Sequence, residues 1–566
     1  MKPERVIRLV ERSIALVVLT ATLGCGIAVA AERPPDIGTT LREIEQRRPA
    51  VPPRADPSMQ VQQTARPALK AAAGATFKVN SVRISGATVF SDLELLPLVS
   101  GLGGRDVGLV ELDTAAARIT QFYRDRGYPV ARAYVPAQTI AGGNVEISVL
   151  EGRYGALDVR NESRLSQRLL HDTLRAPAAD AVIRTAPLDH ELLLLKGLAG
   201  VTVSATLAPG ERVGTADLVV DVVPVPTLSG TFEGDNFGNE YTGQWRYGGS
   251  VAAANLAGRG DLLSVRGLIS QDTGLWYGRA AYVLPVSGSG LSVGAALSHT
   301  YYSLGEEFSS LDADGTADIY TLFTQYPMIR STRGSLDVQA ALNYFDLDDQ
   351  IDATNTDDPR RLQSLSLSVS GNVQDAWFGG GVNAASVAVG NGNLQIRDAT
   401  AVQIDRATAR TKGDFATALG SVLRLQHITD AMQLYVALQG QYASKNLDSS
   451  QKFVLGGPNA VRAYAQGEGV GDEGLLGTAE LRYSFASRGW MRRPQLVAFF
   501  DGGRVRINTD PFLPLENQVD LYGAGVGANV DAFGFTLRGS VAWPIGSDSA
   551  VDESGSRAGI ALVKSF

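Results

Sequence analysis

After Pro226 the sequence alternates apolar residues with polar residues or glycine, and this two-residue period limits what the chain can fold into. The run 522–530 alternates tyrosine, alanine and valine with glycine, and the run 364–370 alternates serine with leucine and valine. Such a period is typical of strands that bury or expose one apolar face. Of the 62 glycines, 44 lie in this part of the chain. The last 340 residues or so are therefore predicted to be β-structure throughout.

A soluble β-sandwich would show the same alternation, so other features must separate it from a membrane barrel. Polar stretches of unequal length separate the runs, among them the acidic segment 346–361, and aromatic residues lie near run ends, as in interfacial girdles. About 340 residues at roughly 21 per strand and loop give about 16 strands, and the chain ends in a strand with a terminal aromatic. We therefore predict an all-β transmembrane barrel of about 16 antiparallel strands over residues 226–566. The girdle candidates are Trp276, Tyr277, Trp377, Phe378 and Trp543.

Residues 1–31 are typical of a secretory signal peptide. Four basic residues precede an apolar stretch, and Ala28-Val29-Ala30 matches a cleavage site that would be cut after Ala30 or Ala31. The single cysteine, Cys25, lies in this segment, so the mature chain would have none. The formal net charge of the whole chain is -8. We expect an exported acidic protein that does not bind nucleic acid.

Residues 32–48 are predicted to contain a short amphipathic helix. Apolar residues at 37, 41 and 44 recur at helical spacing on an otherwise polar segment, and Thr40 followed by Glu43 matches a capping box. The next segment, 49–75, has five prolines among small and polar residues. We predict that this segment is a linker, which lets the helix lie far from the first folded module of the chain.

Two similar modules are predicted between the linker and the barrel, over residues 76–153 and 154–225. In the first, a strand ends near Gly86, a short helix begins at Ser91, a longer helix stops at Gly127, and two strands follow. The same β-α-α-β-β order recurs in the second module. The sequence thus predicts two α+β modules in tandem ahead of the barrel.

Three segments carry a resemblance to a known family: 126–136 (RGYPVARAYVP), 149–153 (VLEGR) and 453–464 (FVLGGPNAVRAY). The two modules resemble POTRA domains. Together with the barrel they make residues 36–566 similar to two-partner-secretion transporters, the TpsB family of outer-membrane translocators that includes haemolysin and filamentous-haemagglutinin exporters. The resemblance implies that the helix at 36–48 is a plug inside the barrel, joined to the POTRA domains by the linker.

The resemblance also implies a site in the barrel lumen. Val461, Arg462, Ala463 and Tyr464 are similar to the family's Val-Arg-Gly-Tyr loop motif, which folds back into the barrel, although Ala463 stands where the family usually has glycine. The run 499–503 (FFDGG) is similar to the strand motif that pairs with this loop, which makes Asp501 the paired acid. A guanidinium in a narrow lumen needs a fixed planar anion, and a carboxylate can accept two of its donors.

An alternative interpretation leaves Arg462 as a solvated loop residue and Asp501 as the cap of a turn at Gly502-Gly503. The joint occurrence of the two motifs favours the pair, which would position the loop and perform no chemistry. Gly456 and Gly457 are predicted to be a flexible hinge of the same loop.

The resemblance implies an outer-membrane translocator with its POTRA domains in the periplasm. It would recognise one large secreted protein and export it unfolded through the barrel, without nucleotide, as a monomer in outer-membrane lipid. An outer-membrane insertase of the same superfamily is the alternative, although such proteins usually carry three or more POTRA domains. The sequence offers no catalytic constellation, cofactor motif or metal-ligand set, so we expect neither an enzyme nor a bound cofactor.

Overall fold

The computed structural model describes residues 34–52, 60–61, 76–174, 180–546 and 555–566. The predicted signal peptide 1–31 and most of the predicted linker 49–75 lie outside the described residues. Helix α1 spans Ile37–Glu45, and the two-residue strand β1 spans Gln60–Val61. None of the described helices is both long and apolar enough to cross a membrane.

Module 1 contains the strands and helices predicted from the sequence, with one additional two-stranded sheet formed by β2 and β4. The strand β3 lies parallel to β6, and β6 pairs with β5 on its other edge. Helix α2 begins with a capping box formed by Ser91 and Glu94, as expected. The elements are β2 (Thr76–Lys78), β3 (Ser81–Ser85), α2 (Asp92–Leu95), β4 (Asp106–Gly108), α3 (Leu109–Asp125), β5 (Arg132–Tyr134) and β6 (Asn144–Leu150).

Glu151, in the VLEGR segment, ties the strand end of module 1 to its first loop. Its buried carboxylate accepts hydrogen bonds from the backbone N–H groups of Thr88 and Val89, at 2.6 and 2.7 Å, and from the hydroxyl of Tyr123 at 3.0 Å. Burial raises the pKa of Glu151, but the hydrogen bond that the Thr88 hydroxyl donates, together with the three bonds above, outweighs it and holds the pKa below its ordinary value. The carboxylate is therefore a structural anchor that requires its charge.

Module 2 repeats the order of module 1 and adds a strand from the linker. Its sheet runs β1-β8-β9-β7, in which β1 lies parallel to β8 at the edge. On the barrel side, the backbone N–H of Arg330 donates to Nδ1 of His190 at 3.2 Å, so helix α5 rests on a barrel turn. The elements are β7 (Arg153–Asn161), α4 (Gln167–Thr173), α5 (Thr185–Lys196), β8 (Val201–Pro209) and β9 (Thr215–Pro224).

Within the described residues, sixteen long antiparallel strands close into a barrel, which confirms the predicted fold and strand number. The first strand, β10, pairs with the last, β28, so the sheet has no free edge. The strands are β10 (Leu228–Asp235), β11 (Arg246–Ala254), β12 (Leu262–Ser270), β13 (Leu275–Pro285), β14 (Ser292–Ser303), β15 (Ala313–Ser331), β16 (Gly334–Ile351), β18 (Arg360–Asp375), β19 (Gly381–Ile396), β20 (Gly413–His427), β21 (Met432–Ala443), β24 (Glu473–Ser484), β25 (Met491–Arg506), β26 (Gln518–Ala532), β27 (Phe535–Pro544) and β28 (Arg557–Ser565).

Four shorter elements complete the barrel domain. The two-residue strand β17 pairs with the end of β16, and β22 and β23 pair with each other inside a long loop. One helix lies between β19 and β20. They are β17 (Thr356–Asp357), α6 (Ala399–Ala407), β22 (Phe453–Val454) and β23 (Val470–Gly471).

The alternating residues lie on opposite faces of the barrel wall. Leu365, Leu367 and Val369 are exposed on the outer surface, whereas Gly523 faces the lumen beside a loop. One of the aromatic girdle predictions is wrong: Tyr277 is only 4% exposed and packs inside the lumen. It follows Trp276, which is 42% exposed, so strand alternation places the two rings on opposite faces.

The acidic segment 346–361 is not the loop that the sequence suggested. Strand β16 continues to Ile351 and β18 begins at Arg360, so only the residues between them connect the two strands. These long strands extend the barrel at the end opposite to the modules. Along β16, Asp346 and Asp348 share one face of the wall and Asp349 lies on the other. Asp349 consequently points into the lumen, where it becomes part of the site.

Candidate functional site in the barrel lumen

Helix α1 lies inside the barrel, against the inner wall of strands β14, β15 and β16. Its apolar stripe, Ile37, Leu41 and Ile44, is 0 to 7% exposed. The stripe packs on inward side chains that include Tyr277 and Tyr302. The predicted helix therefore forms, and its stripe meets the wall of the lumen.

The capping prediction for this helix is wrong. Asp36, not Thr40, is the N-cap, and its carboxylate accepts a hydrogen bond from the backbone N–H of Thr39 at 2.8 Å. Thr40 and Glu43 both lie within the helix and are buried. The earlier cap is favoured because an aspartate here satisfies a free N–H group of the first turn.

A cluster of charged residues contacts the N-terminal end of α1. The backbone N–H of Ile37 donates to Oδ1 of Asp349 at 2.9 Å, and the hydroxyl of Tyr302 donates to the same oxygen at 2.6 Å. Arg360 bonds to Asp349 and, at 2.7 Å, to Asp448 of the neighbouring loop. This end of the helix is thus held by a carboxylate whose charge is balanced by a buried arginine.

The long loop 444–472 between β21 and β24 folds back into the lumen and covers the other side of α1. Gly38 lies directly against Ser449 and Ser450, where a Cβ would collide with the serine side chain and backbone. Nε of Arg42 donates to the carbonyl oxygen of Lys452 at 3.0 Å, and Gln466 donates to that of Glu43 at 3.2 Å. The helix is therefore enclosed between the wall and this loop.

The loop motif packs on the inner wall beyond the helix. Val461 and Tyr464 are 0 and 6% exposed and belong to one apolar cluster with residues of β24, β25 and β26. Ala463 lies beside Gly523 of β26, in a space that a side chain at 523 would fill. Apolar packing thus fixes the loop on both sides of Arg462.

Arg462 and Asp501 are brought together. Nε of Arg462 donates to Oδ2 of Asp501 at 2.7 Å, and Nη2 donates to Oδ1 at 2.9 Å. Asp501 is completely buried and also accepts from the hydroxyl of Thr478 at 3.0 Å. The guanidinium carbon lies 3.3 Å from the ring centroid of Phe499, and Nη1 pairs with Glu480 at 2.9 Å. The geometry matches a bidentate, desolvated ion pair.

The alternative role for Asp501 does not fit the structure. Gly502 and Gly503 continue strand β25 in regular pairing with β24, so no turn exists there for Asp501 to cap. Gly456 and Gly457 lie in the folded-back loop, where Gly457 has a φ of +124°. This conformation favours glycine. Their role as a hinge stays a prediction.

Comparison with known proteins identifies the family. Residues 214–530 match the family model described as haemolysin secretion/activation protein ShlB/FhaC/HecB, which is more than half of the chain. The chain belongs to the ShlB/FhaC/HecB family. Residues 77–152 also match the ShlB-type POTRA domain. The TpsB resemblance is thereby confirmed.

Curated relatives and solved structures of this family agree with the assignment. The heme/hemopexin transporter protein HuxB of Haemophilus influenzae is 28% identical over 90% of this chain and 91% of its own length. The outer membrane transporter CdiB of Dickeya dadantii is 21% identical over 83% of each chain. The structure is similar to that of CdiB from Escherichia coli, with a TM-score of 0.68 and 21% identity over 89% of this chain and 93% of that chain.

An insertase shares the fold at a greater distance. BamA from Haemophilus ducreyi, lacking its POTRA domains 1–3, gives a TM-score of 0.52 at 15% identity, over 87% of this chain and 100% of that chain. The family match favours the transporter over this alternative. This ShlB/FhaC/HecB member is an outer-membrane translocator with periplasmic POTRA domains.

Sequence reasoning missed several residues of the site in this ShlB/FhaC/HecB member. Asp349 contacts α1 and pairs with Arg360, while Glu480 contacts both Arg48 of the segment after α1 and Arg462 of the loop motif. Glu480 and Asp349 lie at inward positions of strands whose side chains alternate between the two faces. A carboxylate at an inward position could therefore have been recognised from the sequence as a candidate site residue. Arg48 carried no such signal, because its partners are remote in sequence, and the same holds for the pairing of Arg360 with Asp448.

Proposed function

We propose that this chain exports one large secreted protein, unfolded, through the barrel lumen, in a cycle that begins when α1 leaves the lumen. The observation that carries the proposal is that α1 fills the space between the wall and loop 444–472. A helix with its side chains is about 10–12 Å across. Its departure therefore leaves room for an extended polypeptide, and helix α1 is the plug.

The loop is the second obstacle in the lumen. Arg462 on Asp501 holds it against the wall, and we assign Gly456 and Gly457 as the hinge about which it moves once the plug has left. The pair positions the loop and takes part in no reaction. Folding of the client outside the cell makes passage one-way, so no nucleotide is required.

Client recognition falls to the sheet edges of the two modules. An exposed edge can take up an extended peptide as an additional strand, and backbone hydrogen bonds tolerate many client sequences. The parallel pairing of Gln60–Val61 with β8 supports this proposal, since an extended segment of the chain's own linker is added there to the edge of the module 2 sheet.

The translocator works as a monomer in outer-membrane lipid. Closure of β10 on β28 leaves the barrel sheet without an edge that a second barrel could pair with. Exposed apolar residues such as Leu365, Leu367 and Val369 suit contact with acyl chains.

The proposal is tested by comparing the proteins in the medium of cells with and without this chain. We expect one large exoprotein to disappear from the medium while the amounts of other outer-membrane barrels stay constant. If those barrels fall instead and no exoprotein is lost, the insertase alternative is correct. Deletion of residues 34–48 should leave the barrel inserted and raise its conductance in planar bilayers.

A further inference from the structure

We propose that Arg48 couples the plug to the loop, so that withdrawal of the plug loosens the loop that Arg462 holds. This inference rests on the proposed role of α1 as the plug. Arg48 lies three residues beyond the end of α1, where the chain continues along the inner wall toward the modules. The hydroxyl of Tyr435 donates to the carbonyl oxygen of Pro49 at 2.8 Å and holds this extension on the wall.

The guanidinium of Arg48 contacts both the wall and the tip of the loop. Nη1 donates to Oε1 of Glu480 at 3.0 Å. Nη2 donates to the carbonyl oxygens of Pro458 and Ala460, at 2.9 and 3.3 Å, and lies 3.9 Å from Oδ2 of Asp501. The side chain is 22% exposed. A single side chain from the plug segment therefore joins the loop backbone to the acids that hold Arg462.

Three arginines pair with Glu480, and one of them, Arg48, comes from the plug segment. Glu480 Oε1 is shared by Arg48 and Arg462, at 3.0 and 2.9 Å, while Arg482 pairs with Oε2 at 2.6 Å. When the plug segment is withdrawn, the carbonyls of Pro458 and Ala460 lose their charged donor. A charge-assisted hydrogen bond is stronger than a neutral one, so the loop tip is less firmly held without Arg48.

The coupling must act in both directions. If the plug stabilises the docked loop, the docked loop stabilises the plug by the same free energy. A variant that undocks the loop should therefore also release the plug, and a variant of Arg48 should disturb both.

The neighbouring Arg47 provides a matched control, because it carries the same charge but is exposed. Two readouts are needed for each variant. The open fraction in planar bilayers reports on the plug, and thiol labelling of a cysteine introduced by Ala465→Cys, in a Cys25→Ser background, reports on the loop. The second substitution makes the introduced cysteine unique.

We expect Arg48→Ala to raise both the open fraction and the labelling rate by about fivefold or more, which is the size of an ordinary coupling between sites. Arg47→Ala should change neither. Arg48→Lys keeps the charge but cannot reach three acceptors at once, and should give intermediate values. Heat-modifiable migration in gels verifies that each barrel is folded.

A double variant tests the coupling independently. Arg48→Ala combined with Asp501→Asn should raise the open fraction by less than the product of the two single effects, because both act on one cluster. The inference is overturned if Arg48→Ala opens the pore without increased loop labelling, or if the two effects multiply. If cells with and without the unaltered chain release the same exoproteins, the proposed function is wrong, but the coupling of plug and loop is not affected by that result.

Discussion

Ala463 of the loop motif lies in a notch of the barrel wall that exists because residue 523 is glycine. A Cβ at Gly523 would lie 2.5 Å from the Cβ of Ala463. The family pattern that this loop motif resembles usually has glycine at the position of Ala463. Here the missing side chain at Gly523 of β26 leaves room for the methyl group of Ala463. The loop motif departs from the family pattern without moving away from Asp501.

Gly523→Ala should loosen the loop. The added methyl group overpacks the contact, which costs about 1–3 kcal/mol when a close-packed site cannot relax. We expect greater protease sensitivity of loop 444–472 and reduced secretion. The double variant Gly523→Ala/Ala463→Gly should restore both, since it exchanges the methyl group between the two sides. If the double variant is as sensitive to protease and secretes as little as Gly523→Ala, then Gly523 is not what makes room for Ala463.

Gly38→Val should expel the plug. The valine side chain would collide with Ser449 and Ser450, although valine is a better helix former than glycine. We therefore expect a higher open fraction in planar bilayers, with the helix itself intact. Thr39→Val places valine at a less buried position of the same helix, where the native side chain is already β-branched, and should leave conductance unchanged.

Arg462→Ala should leave the barrel inserted but lower secretion. Removing one member of a buried ion pair leaves Asp501 buried without its main partner, which costs about 3–5 kcal/mol and favours the undocked loop. Secretion is measured as client in the medium, and insertion as heat-modifiable migration in gels. Arg504→Ala is the control, because it removes an exposed arginine that lies on the same strand as Asp501 and pairs with Asp520 of the neighbouring strand β26. Normal secretion by Arg462→Ala would disprove the role of the pair.

Module 1 should lose stability at acidic pH through Glu151. Because the folded state holds the pKa of Glu151 below its ordinary value near 4.5, the carboxylate stabilises the module above that pH. This contribution disappears as the pH falls through the lower pKa of the folded state. Urea midpoints, followed by proteolysis of module 1, should decline below about pH 4.5.

Glu151→Gln should lower the free energy of unfolding of module 1 at neutral pH by about 1–3 kcal/mol and flatten the decline of the urea midpoint with acid. Asp92→Asn removes an exposed carboxyl from the same module and should preserve the decline. An unchanged acid profile in the Glu151 variant would show that another group is responsible.

Much of the fold could be predicted because its signals are local. Alternation in the run 522–530 assigned the two faces of β26, and the apolar stripe at 37, 41 and 44 identified the buried face of α1. The pairing of Arg462 with Asp501 came from the resemblance and not from spacing. Tyr277 and the acidic segment 346–361 were misassigned because alternation reveals which residues share a face, but not which face is inside or where a strand ends.

Local patterns in the sequence specify the strands, their alternating faces, the amphipathic helix and the two modules, because each depends on neighbours within a few residues. Which inward groups meet is set by the folded barrel. Arg48 and Ala460 are 412 residues apart in sequence and join in the lumen because the barrel closes on itself and a loop folds back into it. Closure and register bring such distant charges together, and no local period of the sequence encodes that meeting.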